Sequence, residues 1–342
     1  MSAPPSRNPV SRAWSFWTKP IRAEPLALFR IVLGVVGIAS LLISMVPVLD
    51  LYGAPDGLLP VEGMDDWLRR SHRFSVLRGP VNLLGLERML PADVVRAWAA
   101  WGASRAGLWT VLVALLVALT ALTVGLWTRL ACIAAWFLAT SLNNRLPWIL
   151  NGGDAMFQEG LFYLMLSPAG AAWSLDRLRR CRRSGRVFTE PVWIAPWSVR
   201  LIQIQLCLVY FQTGLGMVAD ALVDGDWRNN DWIDGIALYW VMNDTTLTRW
   251  PYQWLPVPVG LCRILTRITL IWEVLFCLLV WCSWTRKWVL GLGVVLHLGI
   301  WLTLEVGWFS PFTLCWYAVF LTAAEVERLV GTSGERGSSS PC

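Results

Sequence analysis

The sequence predicts an all-α fold: a polytopic integral membrane bundle of about eight transmembrane helices, with amphipathic helices at its interfaces. Three observations predict it. Hydrophobic residues make up 56% of the 342 and charged residues only 15%, against about 25% charged in an ordinary soluble domain, and the mean hydropathy is +0.52. The apolar residues gather in runs close to the ~20 residues that cross a bilayer as a helix. The 24 Trp suit a chain with much membrane–water interface, where indole is favoured.

The predicted spans are roughly 26–49, 108–126, 129–148, 155–173, 199–218, 264–284, 286–304 and 308–325. The fourth opens on polar turns, NGGDAMFQEG. Arg7, Arg12, Lys19 and Arg22 precede the first span, and six Arg lie between Arg177 and Arg186. Arg129 and the Arg286–Lys287 pair occupy two short turns. All four segments share one face if both termini are cytoplasmic, so the positive-inside rule agrees with an even number of spans. The expected location is a bacterial inner membrane.

This divides the chain into a basic N-terminus (1–20), a transmembrane domain (21–325) and a disordered cytoplasmic tail (326–342). No cleavable signal peptide is expected, because residues 1–25 are polar and basic and the first apolar run is long enough to remain a helix. The outer face carries two long connections, 50–107 and 219–263. The first contains an amphipathic stretch at 91–103; the second is rich in Asp and Trp. Both are candidate surfaces for a protein partner.

The net charge of +6 does not point to nucleic acid. The basic residues sit beside apolar runs, where they set topology or meet anionic lipid. The eight Cys form no CxxC pair. Cys132, Cys207, Cys277, Cys282 and Cys315 lie in apolar runs and read as buried small hydrophobes. No metal site is expected, since the two His, His72 and His297, have no soft ligand at helical spacing.

Ionisable groups inside a span are costly, so they face the bundle and take partners. Arg30, Glu159, Glu273, His297 and Glu305 are of this kind. The expected pairings are Arg30 with Glu273 or Glu159, and His297 with an acid. Gln205 and Gln212 lie seven apart on one helix face, with Tyr210 off that stripe. Asn144 closes the third span. Asp154 follows a Gly–Gly break as an N-cap for the fourth span, or lies at a pocket rim. The pocket candidates are therefore Arg30, Asn144, Glu159, Gln205, Gln212, Glu273 and His297.

Four segments in order carry a resemblance: GLWTRLACIAAWFLATSLNNR, NGGDAMFQEGLFYLMLSPAGAAWSLDR, IQLCLVYFQTGLGMV with WIDGIALYWVM, and VVLHLGIWLTLEVGWFSPFTLCWYAVFL. Over residues 21–325 the chain resembles the horizontally transferred transmembrane (HTTM) domain family, the membrane part of vitamin K-dependent γ-carboxylase-like proteins. The resemblance implies a helical bundle with a pocket for a lipid or quinone-like ligand, in the carboxylases a quinol that yields a strong base. Gly216 and Met217 stand where the carboxylases carry their Lys pair, and Gly153 where they carry a His. A quinol needs a titratable base to be deprotonated, so the resemblance implies the pocket without assigning an activity. The alternatives are a non-catalytic membrane scaffold or partner subunit, a divergent carboxylase, and a transporter.

Overall fold

The computed structural model describes residues 9–53, 55–58, 67, 70, 73–78, 90–225, 230–251, 254 and 256–331. Among these the chain is almost entirely helical, and the only named strands are two-residue pieces, β1 (Ile21–Arg22) and β2 (Trp193–Ile194), paired antiparallel. The main helices are α1 (Pro9–Thr18), α2 (Glu24–Gly53), α3 (Ala92–Ala103), α4 (Arg105–Val124), α5 (Thr128–Arg145), α6 (Gly152–Leu166), α7 (Leu175–Ser184) and α8 (Trp197–Met217). After them come α9 (Ala219–Asp224), α10 (Asp231–Asp234), α11 (Ala237–Asn243), α12 (Val259–Leu279), α13 (Arg286–Thr303), α14 (Phe309–Phe320) and α15 (Ala323–Leu329).

Each expected span contains a helix, but they differ in length and polarity. Two helices, α2 and α4, are long and apolar enough to cross a membrane. At 15 residues, α6 falls short of the ~20 needed. α14 is a 12-residue segment, α-helical to Cys315 and then 3-10. The amphipathic stretch at 91–103 is the helix α3. The predicted disordered tail begins too early: 326–329 belong to α15, with Val326 fully buried and Thr322 and Glu325 forming a capping box. Residues 332–342, His72 and much of 50–107 lie outside the described residues.

Helices α2, α4, α5 and α6 form one packed group, and α8, α12 and α11 another. α14 packs on α2, α6, α8 and α13. Its apolar and aromatic residues explain that central place: Phe312, Trp316, Val319 and Phe320 are all buried. α2 departs from regular geometry around Pro47, where two π turns flank the Val46–Val48 segment. Proline removes one backbone donor and crowds the preceding turn, so a local change of helix register follows.

Arg30 does not pair with Glu273 or Glu159. It is completely buried in α2, and its guanidinium donates to three carbonyls of the turn after α6: Nη1 to Ala169 (2.7 Å) and Ala172 (3.2 Å), Nη2 to Trp173 (2.5 Å). An i,i+4 periodicity cannot predict this, because the partners are backbone atoms about 140 residues away. Gly125, at φ +70°, ends α4 against Ser174 and the Arg30 guanidinium, where a β-carbon would collide. The Asp176 carboxylate caps α5 by accepting from the Trp127 and Thr128 amides and the Thr128 hydroxyl. Burial pushes the Asp176 carboxyl up, but these hydrogen bonds and nearby Arg180 outweigh it and hold the carboxyl below its ordinary value.

Two measurements on detergent-purified protein check this end of the bundle. Arg30→Leu should lower unfolding stability by about 3 kcal/mol or more, since three buried carbonyls lose a charged donor. Arg30→Lys should restore only part, because an ammonium is a point charge and the guanidinium a fork. A carboxyl held low stabilises fully above its unfolded value and stops doing so as pH falls through the folded one. Asp176→Asn should therefore melt below wild type at pH 7, and the two should converge as pH drops below about 4.

Candidate functional site

Helix α8 turns Ile202, Leu206, Tyr210 and Gly214 to the interior, an i, i+4, i+8, i+12 stripe. On α13 the corresponding stripe is Val289, Gly293 and His297. These two faces, with Tyr317 from α14, bring together a buried polar relay. The Tyr210 hydroxyl lies 2.7 Å from His297 Nε2 and 2.9 Å from the Tyr317 hydroxyl. Aromatic rings enclose it: Trp272 and Phe276 lie 4.7 and 4.5 Å from the Tyr210 ring, between centroids, and Phe309 lies tilted against His297 at 5.6 Å.

A hydrogen count shows what the relay lacks. A neutral imidazole and two phenols carry three donor hydrogens, but only two hydrogen bonds join them. One donor is therefore left over, on His297 or on a hydroxyl. His297 Nδ1 is buried without a partner among the described residues. Glu273, packed against Gly214 of the α8 stripe, likewise has Oε2 enclosed and unpartnered among the described residues. An unmet buried polar group costs about 1–3 kcal/mol, so a relay with a spare donor is poised to take an acceptor.

Tyr317 also lines an apolar groove of about 580 Å³ between α2, α13 and α14. Leu28, Val32 and Val36 form one wall; Leu290, Val294 and Leu298 form the other. Trp301 and Trp308 stand at one end, the latter fixed by an indole hydrogen bond to the Ser44 hydroxyl. From Leu290 to Trp301 the groove runs roughly 16 Å at 1.5 Å per residue. Ser310 lines it as well, fully buried and with no partner for its hydroxyl among the described residues. The groove is thus a long apolar trough that Tyr317 and Ser310 line with carbon atoms, their hydroxyls lying behind its wall.

Of the residues predicted from sequence, Glu273 and His297 come to this site. His297 bonds to Tyr210 rather than to an acid. Glu159 and Gln205 belong to a second chain, in which Tyr163 donates to Gln205 Oε1 and Gln205 donates to Glu159 Oε2 at 2.9 Å. Gln212 is exposed and lines nothing, so the proposed glutamine stripe does not hold. Asn144 is buried as an anchor, donating to the Phe74 carbonyl. Glu305 pairs with Arg249 at 3.0 Å on the surface. Asp154 is not the N-cap of α6. Asn151 is, and Asp154 completes its capping box by accepting from the Asn151 amide. Asp154 also borders a space of about 20 Å³, room for a water and no more. Cys282 is exposed in a turn rather than buried.

Sequence reasoning missed Tyr210, Tyr317 and Ser310. The i, i+4 stripe through Ile202 and Leu206 would have found Tyr210. Ser310 and Tyr317 carry no such signal, since α14 is short and most of its residues are buried whatever their position on the helix. Gly153 packs against the Trp308–Phe309 backbone so closely that a β-carbon there would overlap it. The position has no room for an imidazole. Among the described residues no group of three His, Cys, Asp or Glu could hold a metal. No family model, curated protein or solved structure matches the chain.

Gly293 gives the Tyr317 hydroxyl its space, because a β-carbon there would strike that hydroxyl and the Trp272 ring. Gly293→Ala should cost about 1–3 kcal/mol by overpacking. In a Tyr317→Phe background the cost should shrink, which a double-mutant thermal cycle reads directly.

Proposed function

We propose that this chain is a polytopic membrane protein of the HTTM, γ-carboxylase-like kind, which binds an isoprenoid quinone or similar carbonyl-bearing lipid in the α2–α13–α14 groove. The observation that carries this reading is the groove itself, an apolar trough whose wall includes the ring of Tyr317, a member of the relay with one donor to spare. A quinone fits both parts. Its chain suits the trough, and its carbonyl accepts the hydrogen that the relay cannot place internally.

The membrane part of the reading rests on what the surface exposes. Only 22% of the most apolar stretch of α2 is buried, so it is not the enclosed core helix of a soluble protein. Exposed aliphatic residues continue along other helices: Val113 and Val117 on α4, Ile264, Ile271 and Leu278 on α12, Val295 and Leu302 on α13. Exposed Trp gather near helix ends, at Trp127, Trp193, Trp284 and Trp288 on one side and Trp148, Trp240 and Trp254 on the other. Apolar flanks between two indole belts are what a bilayer selects. The eight-span topology, the bacterial inner membrane and cytoplasmic termini belong to the same proposal. Classical γ-carboxylation does not, because Gly216, Met217 and Gly153 supply no base, and a β-carbon at Gly153 already has no room. No catalytic residue is assigned.

Lipid extraction and mass spectrometry of the purified protein test the reading. Wild type should carry a quinone or isoprenoid in near-stoichiometric amount. Gly291 lines the groove and a β-carbon there meets nothing within 4 Å, so Gly291→Phe should fill the trough, leave the fold intact and expel the ligand. Bulk phospholipid alone, unchanged by Gly291→Phe, would refute the proposal.

A further inference from the structure

A second cavity lies at the C-terminal end of α14. It also measures about 580 Å³ and is walled by α1, the β1–β2 pair, the start of α8 and the end of α14. Its character differs from that of the groove: Lys19, Arg22, Arg200 and Arg286 line it, with Phe16, Trp193, Val199 and Phe320 as apolar walls. The acids nearby match two of these four cations and leave Lys19 and Arg200. Arg22 is held by Glu24 and Glu327 at 2.7 and 2.6 Å. Arg286 meets Glu325 only at 3.9 Å, and that carboxylate is already engaged by the Thr322 amide and hydroxyl.

Arg200 and Lys19 have no acid partner among the described residues. Arg200 is half-buried. It spends Nη1 on Gln203 and lays its guanidinium over the Phe16 ring at 4.3 Å, while Nε is enclosed with no acceptor. Two unmatched cations at a cavity with apolar walls call for an anion that carries an apolar body. The surroundings say which. Trp14 and Trp17 of α1 are exposed, as are Trp193 and Trp197 beside the cavity and Trp284 and Trp288 beside Arg286. Such a ring of indoles marks the headgroup level of a bilayer.

We infer that this cavity binds the phosphate of an acidic phospholipid, with Lys19 and Arg200 meeting the phosphodiester and the aromatic walls holding the first acyl carbons. The inference rests on the membrane reading but not on the quinone. It makes α1 an interfacial helix that the bound lipid ties to α8.

Native mass spectrometry of the full chain in detergent tests it, with phosphatidylglycerol and phosphatidylcholine titrated in turn. A surface cation contributes about fivefold to anionic-lipid binding, so phosphatidylglycerol should be retained at least about tenfold better. Arg200→Gln and Lys19→Gln should each remove most of that preference. Lys19 is exposed, so its substitution keeps the test valid if Arg200→Gln misfolds. A further arm adds millimolar glycerol phosphate. Failure to displace the lipid supports a lipid site; displacement supports recognition of the phosphate ester whatever its source. Equal retention of the two lipids, or a preference unchanged by Lys19→Gln, would overturn the inference. Either result would leave the membrane reading standing if the protein still partitions into detergent and carries its groove ligand.

Discussion

A guanidinium with no solvent around it has to be matched inside the protein, and Arg30 sets the terms for one end of this bundle. Its partners are three backbone carbonyls of a single turn. Holding that turn fixes where α6 stops and where Ser174 starts α7. Asp176 then reaches back to cap α5, and Gly125 lets α4 end beside the same charge. Four helices and two turns therefore share one electrostatic constraint. It is local, and it is built from backbone atoms that any sequence in the turn would present.

A second constraint comes from α14. It is too short to span alone, yet it touches both packed groups, so the bundle closes around it. Its aromatic residues supply packing, and Tyr317 supplies chemistry. That hydroxyl sits between Gly293, which makes room for it, and Tyr210, which binds it. The relay is well packed and poorly satisfied at once. Aromatic enclosure by Trp272, Phe276 and Phe309 keeps it dry, and dryness raises the cost of its spare donor. A groove lined by aliphatic side chains leads past the same tyrosine. The second cavity, lined by Lys19 and Arg200, presents charge where the groove is apolar.

The helices were legible because apolar runs and basic turns are properties of consecutive residues. Most of the long ones fall within about five residues of their expected bounds, but α6 ends at Leu166, seven short of the expected 173. The caps were partly legible. Asn151 and Asp154 spell a capping box once the Gly–Gly break is set aside, but the break drew attention to Asp154 alone. The pairings were not legible. Arg30 chose carbonyls, and carbonyls carry no sequence identity. His297 chose Tyr210 across 87 positions. Glu159 and Gln205, both expected in one pocket with Glu273, are half-buried and bond to each other, a pairing the sequence did not suggest. Helical periodicity reports which face a residue occupies. It does not report which helix stands opposite.

The central claim is that Tyr317 offers the relay's hydrogen to a carbonyl-bearing ligand in the groove. The direct measurement is the affinity of the purified full chain for a short-chain isoprenoid quinone, read by quenching of indole fluorescence from Trp301 and Trp308 at the groove. The account predicts saturable binding that Tyr317→Phe weakens about fivefold, the worth of one hydrogen bond of roughly 1 kcal/mol, and that Gly291→Phe abolishes. Equal affinity in all three proteins would contradict it.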